Sequence, residues 1–220
     1  MEGIKMKKIT ISIFVIAALA ITGCRSAYYK TMEAFGQHKR DLLVDRVEDA
    51  RDAQEDAKEQ FKSALEKFSD VVEFSGGKLE EKYNQLKSEL DKSQSKAKSV
   101  RNQIADVEKV AKDLFKEWES ELDQYASDEL RRSSEQKLKK TRQRYSQLIA
   151  AMKRAESKIE PVLTAFNDQV LFLKHNLNAQ AIASLHNELA SVEADIATLI
   201  KEMEASIAEA DEFINAMAGQ

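Results

Sequence analysis

The sequence predicts an all-α fold, a long antiparallel coiled coil closed into an up-down four-helix bundle. Three observations carry that expectation. Past residue 23 the chain holds only four glycines (Gly36, Gly76, Gly77, Gly219) and one proline, Pro161, among abundant Ala, Glu, Lys, Leu, Gln and Arg, a composition that favours long helices. Apolar residues recur at spacings of three and four along four long stretches, the seam of a left-handed coiled coil. Stretches of opposite charge also fall beside one another when the chain is folded at its turn signals, which selects partner and direction more than it adds stability.

The chain begins with a segment of another kind. Lys5, Lys7 and Lys8 precede an apolar run from Ile9 to Ile21, and Ile21-Thr22-Gly23-Cys24 closes it. A basic head, a short apolar run and small residues before a cut read as a secretory signal, too short to span a bilayer as a permanent helix. Cys24 is the only cysteine in 220 residues, and the segment resembles a bacterial lipoprotein signal; an ordinary cleavable signal or a short membrane anchor is the alternative. The resemblance implies cleavage between Gly23 and Cys24, a diacylglyceryl group on the Cys24 thiol and acylation of the new amino terminus. Three acyl chains exceed what stable anchoring requires. Arg25 stands where inner-membrane retention usually shows Asp, so the resemblance implies sorting to the outer membrane, lipid-anchored, with the body facing the periplasm. Residues 24–40 are then a membrane-proximal segment. In it Tyr28, Tyr29 and Phe35 beside Arg25, Lys30, Lys39 and Arg40 suit a membrane interface or an ordinary helix start.

Residues 41–220 form the elongated bundle, with helices over about 28–74, 78–125, 128–175 and 179–217. The first seam runs Leu43, Val47, Ala50, Gln54, Ala57, Phe61, Ala64, Phe68 and Val71, with spacings alternating strictly. Ser75-Gly76-Gly77 ends it, because glycine supplies the left-handed backbone that stops a helix. The second runs Leu79, Tyr83, Leu86, Leu90, Ser93, Ala97, Val100, Ile104, Val107, Ala111, Leu114 and Trp118. Ser127 before Asp128 and Glu129 is an N-cap with acid in the first turn. The third seam, Leu138 to Leu173, passes Pro161 in register, so the proline is expected to kink the helix rather than end it. Asn176-Leu177-Asn178 reads as a turn, with one continuous helix the alternative. The fourth takes Ile182, Leu185, Leu189, Val192, Ile196, Leu199, Met203, Ile207, Ala210, Ile214 and Met217. Gln54, Ser93 and Thr141 are polar seam positions of the kind that fix register.

Charge supports the folding back. Ten basic residues from Arg131 to Lys158 are expected beside the acids between Glu188 and Glu212, and acid-rich Asp41 to Glu59 opposite Lys96, Lys98, Arg101, Lys109 and Lys112. A helix of about 45 residues is roughly 70 Å long. Up-down topology therefore places one end of the bundle far from the anchor, and Lys78, Lys174, His175 and Asn178 gather there as a candidate partner-binding tip.

Candidate chemistry is thin. There is no Gly-x-x-x-x-Gly-Lys phosphate loop and no Gly-x-Gly-x-x-Gly turn, and a periplasmic body meets neither ATP nor genomic DNA, so no nucleotide cofactor and no nucleic acid is expected. His175 and His186 share a face only on an unbroken helix, and no cysteine or compact carboxylate set joins them, so no metal is expected. Paired acids such as Glu48-Asp49 and Glu55-Asp56 are solvated faces unless a cleft perturbs them. Removal of residues 1–23, which hold three lysines and one glutamate, takes the formal charge from −4 to −6; that mild acidity selects no partner.

Three segments carry a wider likeness. Tyr28-Tyr29-Lys30, Phe74-Ser75-Gly76-Gly77-Lys78-Leu79 and Leu171-Phe172-Leu173-Lys174-His175-Asn176-Leu177-Asn178-Ala179 resemble those of an uncharacterised family of Gram-negative helical proteins, the domain of unknown function numbered 2959. The resemblance spans nearly the whole mature chain. It implies a helical envelope protein and supplies no catalytic residue.

The expectation is a non-enzymatic, outer-membrane-tethered periplasmic lipoprotein, a helical rod acting as an interaction or scaffold module with an envelope protein partner. The alternative is a helical carrier or envelope-stress sensor that binds an apolar ligand or lipid. Packed seams favour the first, and a sizeable cavity would favour the second. Neither oligomeric state nor the partner's identity follows from the residues.

Overall fold

The computed structural model describes residues 39–73 and 78–218. Gly23, Cys24, Arg25 and the rest of the signal and membrane-proximal segments lie outside them, as do Gly76 and Gly77. Four helices follow in order: α1 (Lys39–Val72), α2 (Leu79–Leu122), α3 (Asp128–His175) and α4 (Ala179–Ala218). The chain divides at Leu42 into two units. Only the first turn of α1 is described in the unit before Leu43, and everything below concerns the unit that starts at Leu43.

Each helix end has a local cause. Ser127 holds extended backbone, with φ −96° and ψ 119°. Its Oγ accepts from the Leu130 amide at 3.3 Å, Asp128 and Glu129 occupy the first turn of α3, and Lys174 and His175 the last, so charges of the favourable sign meet both ends of the helix dipole. The turn at 176–178 separates α3 from α4. Asn176 Nδ2 donates to the Phe172 carbonyl at 2.9 Å, and Asn178 Oδ1 accepts from the Ala181 amide at 3.0 Å. One asparagine closes the outgoing helix and the other caps the incoming one. Lys78 at the start of α2 forms no such side-chain cap; Glu80 and Glu81 supply acid to that first turn instead. α3 runs through Pro161, whose ring faces outward.

Side-chain pairs fix the directions. On α2 and α3, Arg101 pairs with Glu160, Glu108 with Lys153 and Glu119 with Arg142, so numbers fall on one helix as they rise on the other. These two helices are antiparallel. Arg154 reaches Glu202 at 3.6 Å across the α3–α4 hairpin. Gln60 Nε2 donates to Glu89 at 2.7 Å and Lys96 pairs with Asp56 at 2.6 Å, tying α1 to α2. Arg51 bonds Asp211 at 3.1 Å and brings the first helix to the last. Phe68 meets Phe166 edge to face, centroids 6.1 Å apart, from α1 to α3. The four helices of this unit therefore close an up-down bundle.

The core lies along the seams. All nine residues expected on α1 are at most 1 % exposed, and those of α2 from Leu86 to Leu114 and of α3 from Leu138 to Leu173 are buried except Tyr145, which is half-buried. Burying a Leu or Phe side chain contributes about 1.5–3 kcal/mol, so these stripes hold the fold. The seam of α4 differs from expectation in its phase. Ala181, Ser206 and Phe213 are buried, whereas Ile182, Ile207 and Ile214 are only half-buried. From Val192 through Ile196, Leu199, Met203, Ser206, Ala210, Phe213 to Met217 the spacing alternates without fault, and preferring Ile207 over Ser206 places two intervals of four in succession. Geometry overrides side-chain polarity there.

The charge pattern is redistributed as well. Among the described residues only Arg154 of the basic stretch joins an α4 acid, while Arg142 and Lys153 turn to α2. Arg101 turns to α3 rather than α1. Buried Glu89 is the exception among exposed pairs. Burial alone would push its carboxyl up, and the bonds from Lys92 and Gln60 outweigh that and hold it below its ordinary range.

Candidate functional site

Up-down topology brings the end of α1, the start of α2 and the α3–α4 turn to one end of this unit. Lys78, Lys174, His175 and Asn178 all lie at that end and all are exposed. Their roles differ. Lys78 pairs with Glu81 at 3.1 Å, both side chains largely in solvent, and such a pair is worth little. Asn178 spends its carbonyl oxygen on the Ala181 amide, which makes it first a helix cap. Lys174 and His175 close α3 and project from its last turn. The turn puts His175 and His186 on separate helices, so the continuous face that would align them is absent. Among the described residues no group of three or more His, Cys, Asp or Glu is arranged to hold a metal ion.

Three apolar side chains join this end that charge-based reading passed over. Leu171 is 50 %, Phe172 40 % and Leu177 45 % exposed. A signal for them was present: Val170-Leu171-Phe172-Leu173 is a run of four apolar residues, and the seam claims only Val170 and Leu173. Between Gln169 and Asn187 the sequence has no acid, so along their own stretch Leu171, Phe172 and Leu177 have only Lys174, His175 and neutral neighbours, while Glu80 and Glu81 of the first turn of α2 lie at the same end. This combination can grip a partner by apolar contact inside a polar, charged rim.

The second surface is the amino-terminal half of α3, at the opposite end of the unit. Arg142 there is fully engaged: it pairs with Glu119, donates to the Phe115 carbonyl at 3.5 Å and lies 5.2 Å over the Phe115 ring. Phe115 in turn meets Tyr145 at 5.4 Å. Burial, with Glu108 adding to it, pushes the Tyr145 phenol up to about 12. Trp118 Nε1 donates to the buried Ser134 Oγ at 2.8 Å. These contacts seat α3 on α2 and leave the outer side of α3 to solvent. On that side Arg132, Lys137, Lys139, Lys140 and Arg144 are exposed.

A family model described as "Protein of unknown function (DUF2959)" matches residues 28–217. No curated protein and no solved structure matches.

Proposed function

Since the chain belongs to the DUF2959 family of proteins of unknown function, which assigns it no reaction, we propose a non-enzymatic role as a lipid-anchored scaffold of the cell envelope. The protein is tethered through Cys24 to the periplasmic face of the outer membrane and carries its partner-binding surface at the far end of a helical rod. The observation that carries this reading is the cluster of Leu171, Phe172 and Leu177 beside Lys174 and His175, exposed where the end of α3 meets the α3–α4 turn, which caps and packed helices hold in place. Recognition tends to sit on loops presented by rigid scaffolds. A 44-residue α2 gives a reach of about 65 Å, enough to separate such a surface from a membrane. Seam residues with almost no exposure favour a packed rod over a carrier that must open around a ligand.

The test is crosslinking in cells from a photoreactive residue at Phe172, with mass spectrometry of the product. A defined envelope protein should be captured there, and Leu171→Ser with Leu177→Ser should abolish capture while helicity is kept. Capture unchanged in that double variant would overturn the assignment of the tip. Fractionation tests the tether: Cys24→Ala should leave an uncut precursor, and Arg25→Asp should move the protein to the inner membrane. Persistence of both variants in the outer membrane would overturn it.

A further inference from the structure

We propose that the outer face of the amino-terminal half of α3 docks on anionic phospholipid headgroups, at the surface of the membrane that holds the Cys24 lipid. Arg132, Lys137, Lys139, Lys140 and Arg144 are exposed, and none of them makes an ion pair or hydrogen bond among the described residues, whereas Arg131 closes on Asp128 and Arg142 on Glu119. Pairing therefore accounts for Arg131, on its own helix, and for Arg142, across to α2, and leaves these five over. From Gln136 to Ala155 the sequence contains no acid at all. The acids that sequence and register place nearest, Glu129 and Glu135 on α3 itself, Glu119, Glu121 and Asp123 ending α2 and Glu209, Asp211 and Glu212 on α4, make no ion pair with the five among the described residues: Glu119 is taken by Arg142 and Asp211 by Arg51.

Charge complementarity calls for an anion, and two further observations select a bilayer over a soluble polyanion. Leu130 is 58 % and Tyr125 42 % exposed at the same end, and an apolar side chain with an aromatic one beside lysine and arginine is the mixture that settles at a lipid interface. Leu43 begins its unit at that end too, because α1 runs antiparallel to α2. Cys24 precedes Leu43 by nineteen residues, a span of at most about 65 Å fully extended. The Cys24 anchor thus keeps this face within reach of headgroups at a high effective concentration. Basic clusters close to a membrane bind anionic lipids through phosphate oxygens and lose that attraction as salt rises. This step rests on the tether proposed above, and the test separates the two.

Full-length lipidated chain carrying Ser133→Cys and a fluorophore is reconstituted in vesicles of phosphatidylcholine, with or without about one-third phosphatidylglycerol, each containing a headgroup-labelled acceptor lipid. Flotation reads the anchor and energy transfer reads docking. The chain should float with both vesicles, with transfer at least several-fold stronger when phosphatidylglycerol is present and fading at high salt. Replacing Arg132, Lys137, Lys139, Lys140 and Arg144 together by Gln should abolish the difference, with flotation and circular dichroism unchanged. A fluorophore at Gln180, on the other end, should give weaker transfer than the one at Ser133, because the bundle leans on this face at one end only. Equal transfer in the two vesicles, or full transfer in the five-residue variant, would overturn the proposal. If the chain fails to float on phosphatidylcholine, the anchor reading fails; docking is then decided by low-salt flotation on the phosphatidylglycerol vesicles, which the wild type must show and the variant must lose.

Discussion

At the scale of single residues, the polar groups inside the seams set the finest balances. Thr141 is fully buried, and its Oγ1 has no hydrogen-bond partner among the described residues; Thr141→Val keeps the shape and removes the stranded hydroxyl. The variant should be more stable by about 1 kcal/mol, read as a higher denaturant midpoint at unchanged slope. Ser93 is cheaper to bury, since its hydroxyl donates to the Glu89 carbonyl at 2.8 Å; Gln54 donates to the Ala50 carbonyl at 3.4 Å but leaves its Oε1 without a partner among the described residues. Tyr145 contributes a pH dependence on the alkaline side. Its phenol ordinarily ionises near 10 and is held up to about 12 by burial and by Glu108, so the fold favours the neutral form. The stability this represents is complete below about pH 10 and is lost as pH rises toward 12. Tyr145→Phe, which has nothing to ionise, should lose up to roughly 2 kcal/mol less than wild type across that window, measured by chemical unfolding at each pH.

At the scale of elements, caps and phase decide what was legible. The α1 seam could be read residue by residue because its spacing never falters and its polar member, Gln54, sits where alternation requires. The α4 seam was misphased after Met203 because two isoleucines, Ile207 and Ile214, were more attractive than the serine and phenylalanine beside them; in a bundle the helix rotates as one body, so Ser206 is carried inside by its neighbours. Asn178 belongs by sequence both to a turn and to the candidate binding tip, and the bond from the Ala181 amide makes it a helix cap. Leu171 and Phe172 were hidden by adjacency to a true seam residue, and the free cations of α3 by an expected pairing with α4 that only Arg154 makes. The Asn178 cap is testable: Asn178→Ala should cost about 1 kcal/mol, and Asn178→Ser should restore most of it, in thermal unfolding followed by circular dichroism.

At the scale of the unit from Leu43 onward, the contact that closes the bundle is the most distant along the chain. Arg51 and Asp211 are separated by 160 positions, while the remaining helix pairings join neighbours in sequence or next neighbours. A chain stopped after Asn178 should keep the α2–α3 hairpin and leave α1 without its last neighbour. It should bind a hydrophobic dye and unfold without a sharp transition, where the full chain unfolds cooperatively. The surface pair Arg51–Asp211 is itself worth little; what it marks is the edge along which α4 covers the apolar seam of α1. Order of synthesis gives that edge a consequence. Delivered from its amino terminus, by the ribosome and again through the export channel that the proposed signal implies, the chain presents α1 first and α4 last, so the most completely enclosed stripe among the described residues is also the one that waits longest for cover, behind well over a hundred residues. Throughout that interval Phe61 and Phe68 are available to any chaperone, or to any other unfinished chain, and the arrival of the carboxyl-terminal helix is the event that ends the exposure.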